Sequence, residues 1–489
     1  MALRRVAILC AVMLLAAVPQ IAAAQDIAGE DHPTISAGAP VSALHGIWRS
    51  RGYGYVLRID ADGLALFHVA GPFCYADPRR QRDPDGLFAF HRMAADGTVA
   101  FSARPGQTRY VFDRLSALPD ACNDRMPWTP PRVAALVAAT FADLYPTFAE
   151  RGIDWRARTG SARLLDSHAS DDALFEALRV MLAGIEDAHV ELRAEIAGRK
   201  RALTPGQAAT LVRADAAPGG AREDAWDEAY RRGILDRVLR GRGHEAANGG
   251  VIWGRVGDIG YLNILTMERF SPGRRRAADD PTALDAALDA AIAGFSACPG
   301  KVDAGFPTRT CANARTARAV VVDISANDGG FDWLAQRIAG RFADRPRLAY
   351  TKTAVGADRV QPQPFEVMPS ERARYLGPVY LLTSDVTLSA AEVFALDMRA
   401  LPNVIHVGET TRGAFSDTIN KPLPNGWMLV LPGEIYRDPE GVTYEARGLP
   451  PQRRFAVFPQ NVPGGGHARR VLALIEEIRA ERDAAAPAR

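Results

Sequence analysis

The segment Thr387-Leu388-Ser389-Ala390-Ala391-Glu392 follows an apolar run, Val379-Tyr380-Leu381-Leu382, and a polar loop, Thr383-Ser384-Asp385-Val386. That order predicts a strand, a loop and then a helix, with Ser389 at the helix start. A serine there is a candidate nucleophile. The helix N-terminus favours negative charge, and free backbone N–H groups beside it can hold an oxyanion. The same residues also satisfy the S-x-x-E capping box, which needs no chemistry.

A second apolar run, Ala319 to Ile324, ends in Asn327-Asp328-Gly329-Gly330. By themselves these glycines read as a turn. His189 follows a helical pattern, and Glu445 precedes a Gly-Leu-Pro turn. Neither context alone implies more than a surface or structural residue. No G-x-S-x-G elbow surrounds Ser389, which disfavours an α/β-hydrolase. No P-loop or HExxH is present, and no cysteine or histidine cluster has zinc spacing. The sequence therefore calls for no cofactor and no metal.

The elements that must position these residues lie in a chain of 489 residues, enough for two or three structural units. Met1 to Arg5 is basic, Val6 to Val18 is apolar, and Ala22-Ala23-Ala24 is small. This is the pattern of a secretory signal peptide over 1–24. The apolar run is shorter than the about 20 residues of a membrane span, and no later stretch suffices either. The expected location is periplasmic or secreted. Loss of Arg4 and Arg5 takes the formal charge from +2 to zero, so nothing argues for a nucleic-acid partner. Cys10 leaves with the leader. Cys74, Cys122, Cys298 and Cys311 remain, an even count that favours disulfides in an exported chain. The local pairings are Cys74–Cys122 and Cys298–Cys311.

Residues 25–43 are small and polar, and are expected to form a flexible leader. From 44 to 127 short alternating strands with turns at Asp62-Gly63 and Asp96-Gly97 predict a small antiparallel β domain. Pro130-Pro131 opens a helical segment, 128–250. It has helices over Val133 to Tyr145, from Ser170 to Ile185, and around Glu223 to Leu239. No PDZ-like strand pattern is visible in it. From 251 to 460 strands and helices alternate, with near-continuous apolar strands of the kind buried on both faces. Trp427 to Leu431 is expected to pair with a strand near Val442-Thr443-Tyr444. Residues 461–489 hold an amphipathic helix with Val471, Leu474, Ile475 and Ile478 on one face.

Several blocks, taken in order, resemble the tail-specific (C-terminal processing) serine peptidases, especially their tricorn-like branch. The blocks are Ile185 to Val190, Val321 to Gly330, Thr387 to Glu392, Gly408-Glu409-Thr410-Thr411-Arg412-Gly413, and Tyr444 to Pro451. Each alone is weak; their order over one long stretch is not. The resemblance implies an α/β core, a spiral of the crotonase/ClpP type, behind the helical segment and the β domain. It implies Ser389 as nucleophile, His189 as general base, and Glu445 as the acid orienting that base. Gly329 or Gly330, with the N–H of Ala390, would supply the oxyanion hole. The implied substrate is a peptide or an unfolded protein, and the implied reaction is acyl transfer followed by hydrolysis.

Three positions depart from the family pattern. The other branch uses a lysine base, but the residue in register is Ala414, and the only lysine after Ser389 is Lys421. The tricorn-like branch often has serine before its histidine; here it is Ala188. The closing block often reads Pro-Asp; here it is Pro451-Gln452. Asp187 is an alternative orienter of His189. Ala188 and Ala414 also motivate a competing reading, a peptidase-like protein that binds a peptide or hydrophobic ligand without cutting it.

Overall fold

The computed structural model describes residues 29–484, except 80–82, 84, 161–164, 217–222, 274–279, 297–315, 358–359 and 460–464. The leader over 1–24, Cys298 and Cys311 lie outside the described residues.

The N-terminal β region is an eight-stranded antiparallel sheet. Gly46–Ser50, Tyr55–Asp60 and Gly63–Ala70 are consecutive neighbours within it. The Asp62-Gly63 turn forms as expected, with Asp62 N–H donating to Asp60 Oδ1 at 3.0 Å. Asp96 Oδ1 likewise closes the second turn by accepting Thr98 N–H at 3.0 Å. Cys74 and Cys122 are joined in a disulfide across a separation of 48 residues. One expectation changes here. His32–Pro33, expected in a free leader, pairs with Phe90 and His91 at the sheet edge. Arg92 and Asp31 reinforce that edge with an ion pair at 2.6 Å.

The β region is also not separate from the helices after it. Trp48, Leu57, Phe101 and Phe112 share one core with Leu136, Phe141, Leu178 and Met181. These last four lie on helices Pro130–Leu144 and Asp171–Leu182. Leu192 and Leu429, from a four-stranded sheet, complete the same core. Each such side chain contributes roughly 1.5–3 kcal/mol on burial, and together they join the two parts in one core. Apolar residues on one sheet face and one helix stripe found each other, which sequence periodicity alone does not reveal.

The centre of the molecule is a seven-stranded sheet. Ile259–Ile264, Ala319–Asp323, Val379–Thr383 and Val404–Gly408 run parallel within it. The apolar runs serve two faces, as their period of two requires. Leu262, Val322 and Leu381 face helices Thr282–Ser296, Asp332–Ala339 and Ala390–Arg399. Tyr261, Val321 and Tyr380 face the other side, against Tyr230 and the helix Gly465–Ala484. Val471, Leu474, Ile475 and Ile478 of that last helix are all buried, as their spacing predicts.

The strand Met428–Pro432 pairs with Thr418–Pro422 and with Glu191–Ile196, not with Val442-Thr443-Tyr444. The latter residues are held in a turn instead: Asp438 N–H donates to Val442 O at 3.0 Å, and Val442 N–H to Asp438 Oδ1 at 2.8 Å. Among the described residues no helix is long and apolar enough to cross a membrane.

Candidate active site

Because Ala319–Asp323 and Val379–Thr383 are parallel neighbours, the turns at their carboxyl ends lie side by side, where such sheets commonly place ligands. Hydrogen bonds fasten the two turns together. Ser384 Oγ donates to Ser325 O at 2.5 Å, Thr387 Oγ1 to Ile324 O at 3.0 Å, and Leu388 N–H to Asn327 O at 3.0 Å. The Asn327 side chain ties its turn to the next strand by donating to Ile264 O at 3.0 Å.

Ser389 emerges from this clamp with φ 59° and ψ −129°. For a residue with a Cβ that is a strained conformation, worth about 1–3 kcal/mol, and it persists only when the surroundings enforce it. The helix starts at Ala390, with Ser389 as its N-cap, because Ser389 is not helical in this geometry. Ser389 N–H donates to Ala414 O at 3.1 Å and to Glu392 Oε2 at 3.3 Å, the latter being one side of the capping box. Ala390 N–H opens the helix, where backbone donors have no intrahelical partner.

The two glycines differ. Gly329 has φ 103°, and a Cβ built on it would lie 2.6 Å from Ser389 Cβ. Its N–H already donates to Asn327 Oδ1 at 2.8 Å. Its carbonyl accepts Met267 N–H at 2.7 Å, while Phe331 N–H donates to Met267 O at 3.0 Å. Gly330, at φ 140°, lies between them with its N–H outside this bridge.

Glu392 is the brace of the site. It is completely buried, and its carboxylate accepts Gly413 N–H at 2.6 Å and Ala414 N–H at 2.8 Å. Burial pushes its carboxyl up to about 7 against the pull of these donors. Glu445 meets the next residues, accepting Phe415 N–H at 2.9 Å and Ser416 N–H at 3.2 Å. Burial drives its carboxyl well above the usual range, and the charges of Asp187 and Glu392 add to the effect. Its second oxygen, Oε1, is buried without a hydrogen-bond partner.

His189 is buried, and its ring faces the backbone of Ser416. Burial lowers its pKa, while Asp187 and Asp417 oppose that shift. Its Nδ1 is a second buried atom without a partner. Asp187 does not bond the ring. It accepts His189 backbone N–H at 2.9 Å and Tyr145 OH at 2.7 Å, and pairs with Arg151 at 3.2 Å. Thus Ser389, His189 and Glu445 all converge on residues 414–416. No hydrogen bond links Ser389 Oγ to the His189 ring, or that ring to Glu445.

Lys421 lies elsewhere. Its Nζ donates to Tyr53 O at 2.6 Å and stands 4.0 Å from the centre of the Tyr55 ring. Ala414, in the register of the lysine base, is buried against Glu392.

Residues 258–454 match peptidase family S41. Over that stretch the chain is similar to the serine-type peptidases of that family. The matched stretch takes in the central sheet from Ile259–Ile264 onward, but not its strands His244–Ala246 and Val251–Val256, together with both clamped turns, Ser389 and Glu445. His189 lies outside it, in the turn between helix Asp171–Leu182 and strand Glu191–Ile196. Among solved structures, a putative peptidase from Parabacteroides merdae is 24% identical, with 73% of this chain and 99% of that chain covered at a TM-score of 0.53. This likeness shows the fold. The photosystem II D1 C-terminal processing protease is 13% identical over 70% of this chain and 99% of its own, with a TM-score of 0.39. The tricorn protease is 13% identical over 87% and 45%, with a TM-score of 0.39. No curated protein matches the chain.

Sequence reasoning missed Glu392 as more than a cap. The signal was present in the S-x-x-E spacing, but its reach to residues 413 and 414 is a tertiary fact.

Proposed function

We propose that this S41 peptidase domain is an active, exported endopeptidase of the tricorn-like type, with Ser389 as nucleophile and His189 as general base. The observation that carries the reading is the enforced, strained backbone of Ser389 at the head of a helix, with Gly329 against its Cβ. Ser389 Oγ attacks the scissile carbonyl carbon while neutral His189 takes the hydroxyl proton. The resulting oxyanion is held by the N–H groups of Ala390 and Gly330. Return of the proton to the amine breaks the C–N bond and leaves an acyl-Ser389 ester. Water, deprotonated by His189, then hydrolyses that ester. Glu445 Oε1 and His189 Nδ1, both buried without partners, are the atoms such an orienting contact would join. Substrates are peptides or unfolded protein segments. The leader pattern and the Cys74–Cys122 disulfide support export.

The competing reading, a non-cleaving peptide binder, is favoured by the missing bond between Ser389 and His189. Degradation of unfolded casein by wild type and by Ser389→Ala distinguishes the two. Loss in the variant supports the peptidase. Equal degradation by both removes Ser389 from the chemistry, and no degradation with retained peptide binding supports the binder.

A further inference from the structure

Directly beneath the turn that carries Gly329 lies a fully buried polar cluster with no access to substrate. Asp323, at the end of its strand, accepts Ser325 N–H at 3.0 Å and Ser325 Oγ at 2.7 Å on one oxygen. The other oxygen accepts Tyr261 OH at 2.6 Å and meets His467 Nε2 at 2.9 Å. A carboxylate in this setting only accepts, so Nε2 carries the proton. The same nitrogen lies 3.3 Å from Ser325 Oγ. Burial opposes the charge on Asp323, and His467, Tyr261 and Ser325 outweigh it, holding the carboxyl below its usual range.

His467 belongs to the C-terminal helix, whose other inward residues are apolar. An apolar side chain would fill the same place, and replacing buried charged clusters by apolar groups is often neutral or stabilising. Stability alone therefore gives this cluster little reason to exist. Its geometry supplies another. Ser325 is the residue whose carbonyl accepts Ser384 Oγ, and two residues later Asn327 holds both Leu388 N–H and Gly329 N–H.

We propose that His467 is a positioning residue for the chemistry at Ser389. Acting through Asp323 and Ser325, it sets the turn that presents Gly330 N–H to the oxyanion. The last helix of the chain is thereby part of the catalytic support. This rests on Ser389 being the nucleophile.

The test compares wild type, His467→Phe, His467→Gln and Ser325→Ala, each shown to be folded by near-ultraviolet circular dichroism and thermal melting. The readouts are the second-order rate of fluorophosphonate labelling at Ser389, and kcat and KM on a peptide substrate. Phenylalanine keeps a ring among Tyr230 and Phe458 but removes the donor. His467→Phe is expected to slow labelling and lower kcat by about 10- to 100-fold with KM little changed, the effect of a small misplacement. Glutamine, whose side-chain N–H can reach Asp323, should recover most of the rate. Labelling of His467→Phe at the wild-type rate, whatever its melting temperature, overturns the proposal. If that variant does not fold, Ser325→Ala decides: slower labelling supports the proposal, and a wild-type rate overturns it. If wild type itself is not labelled at Ser389, the nucleophile reading fails and this inference falls with it.

Discussion

Gly329 and Ser389 are packed so closely that a single methyl group at position 329 would stand 2.6 Å from Ser389 Cβ. Leu388 O and Ala390 N would lie 2.8 and 3.0 Å from the same methyl. None of these atoms is the free end of a flexible side chain. The positive φ of Gly329 adds strain to any replacement. Gly329→Ala is expected to lower kcat/KM on a peptide by about 100-fold, because the nucleophile itself must move. Steady-state kinetics on the folded variant check this; undiminished kcat/KM would show that the contact does not matter.

His189 provides a pH signature. Only the neutral imidazole can take the proton, and burial lowers its pKa. The acid limb of kcat/KM should therefore fall below the usual histidine value of about 6.5. A limb at or above that value contradicts the assignment. His189→Ala should abolish fluorophosphonate labelling, whereas Lys421→Met, remote on the Tyr53 carbonyl, should be labelled as fast as wild type.

Glu392 links the site to stability. Its folded pKa of about 7 lies above the ordinary glutamate value of 4.5, so the folded state holds this proton more firmly than the unfolded chain. Its contribution is fully present at low pH and is lost as pH rises through that window. Glu392→Gln removes the titration, so denaturation midpoints of the variant should change less between about pH 5 and pH 8. The new amide group also confronts the N–H groups of Ser389, Gly413 and Ala414, a cost of about 1–3 kcal/mol. Parallel pH profiles for the two proteins would refute the first claim.

The Cys74–Cys122 bond should be worth about 2–4 kcal/mol. Cys74→Ala/Cys122→Ala, unfolded in urea beside wild type, should show a lower midpoint. An unchanged midpoint would mean the bond does not constrain the unfolded chain.

Much of this was legible beforehand. The buried strands Ala319–Asp323 and Val379–Thr383 announced themselves as apolar runs, and the last helix by its apolar stripe. The expected pairing of Trp427 to Leu431 with Val442 to Tyr444 failed because strand propensity does not name a partner, and Asp438 closes a local turn there. The leader boundary failed for a related reason: His32-Pro33 carries no strong strand signal and is ordered by the edge it meets.

What the sequence alone determined was the kind of residue at each place: a serine at a helix start, glycines after a strand, and an alanine where a lysine base would stand. The serine and the glycines follow from local pattern, since capping, periodicity and turn chemistry act over a few residues; the place of the alanine follows from the resemblance to the tail-specific peptidases. Only the tertiary structure decided their relations. It strained the Ser389 backbone, turned Glu392 onto residues 413 and 414, and brought His189 and Glu445 to the same stretch of chain. It also set His467 beneath Ser325. These contacts join residues far apart in sequence, and they form because burial in a shared core leaves each polar group few partners, so that packing, not local propensity, chooses among them.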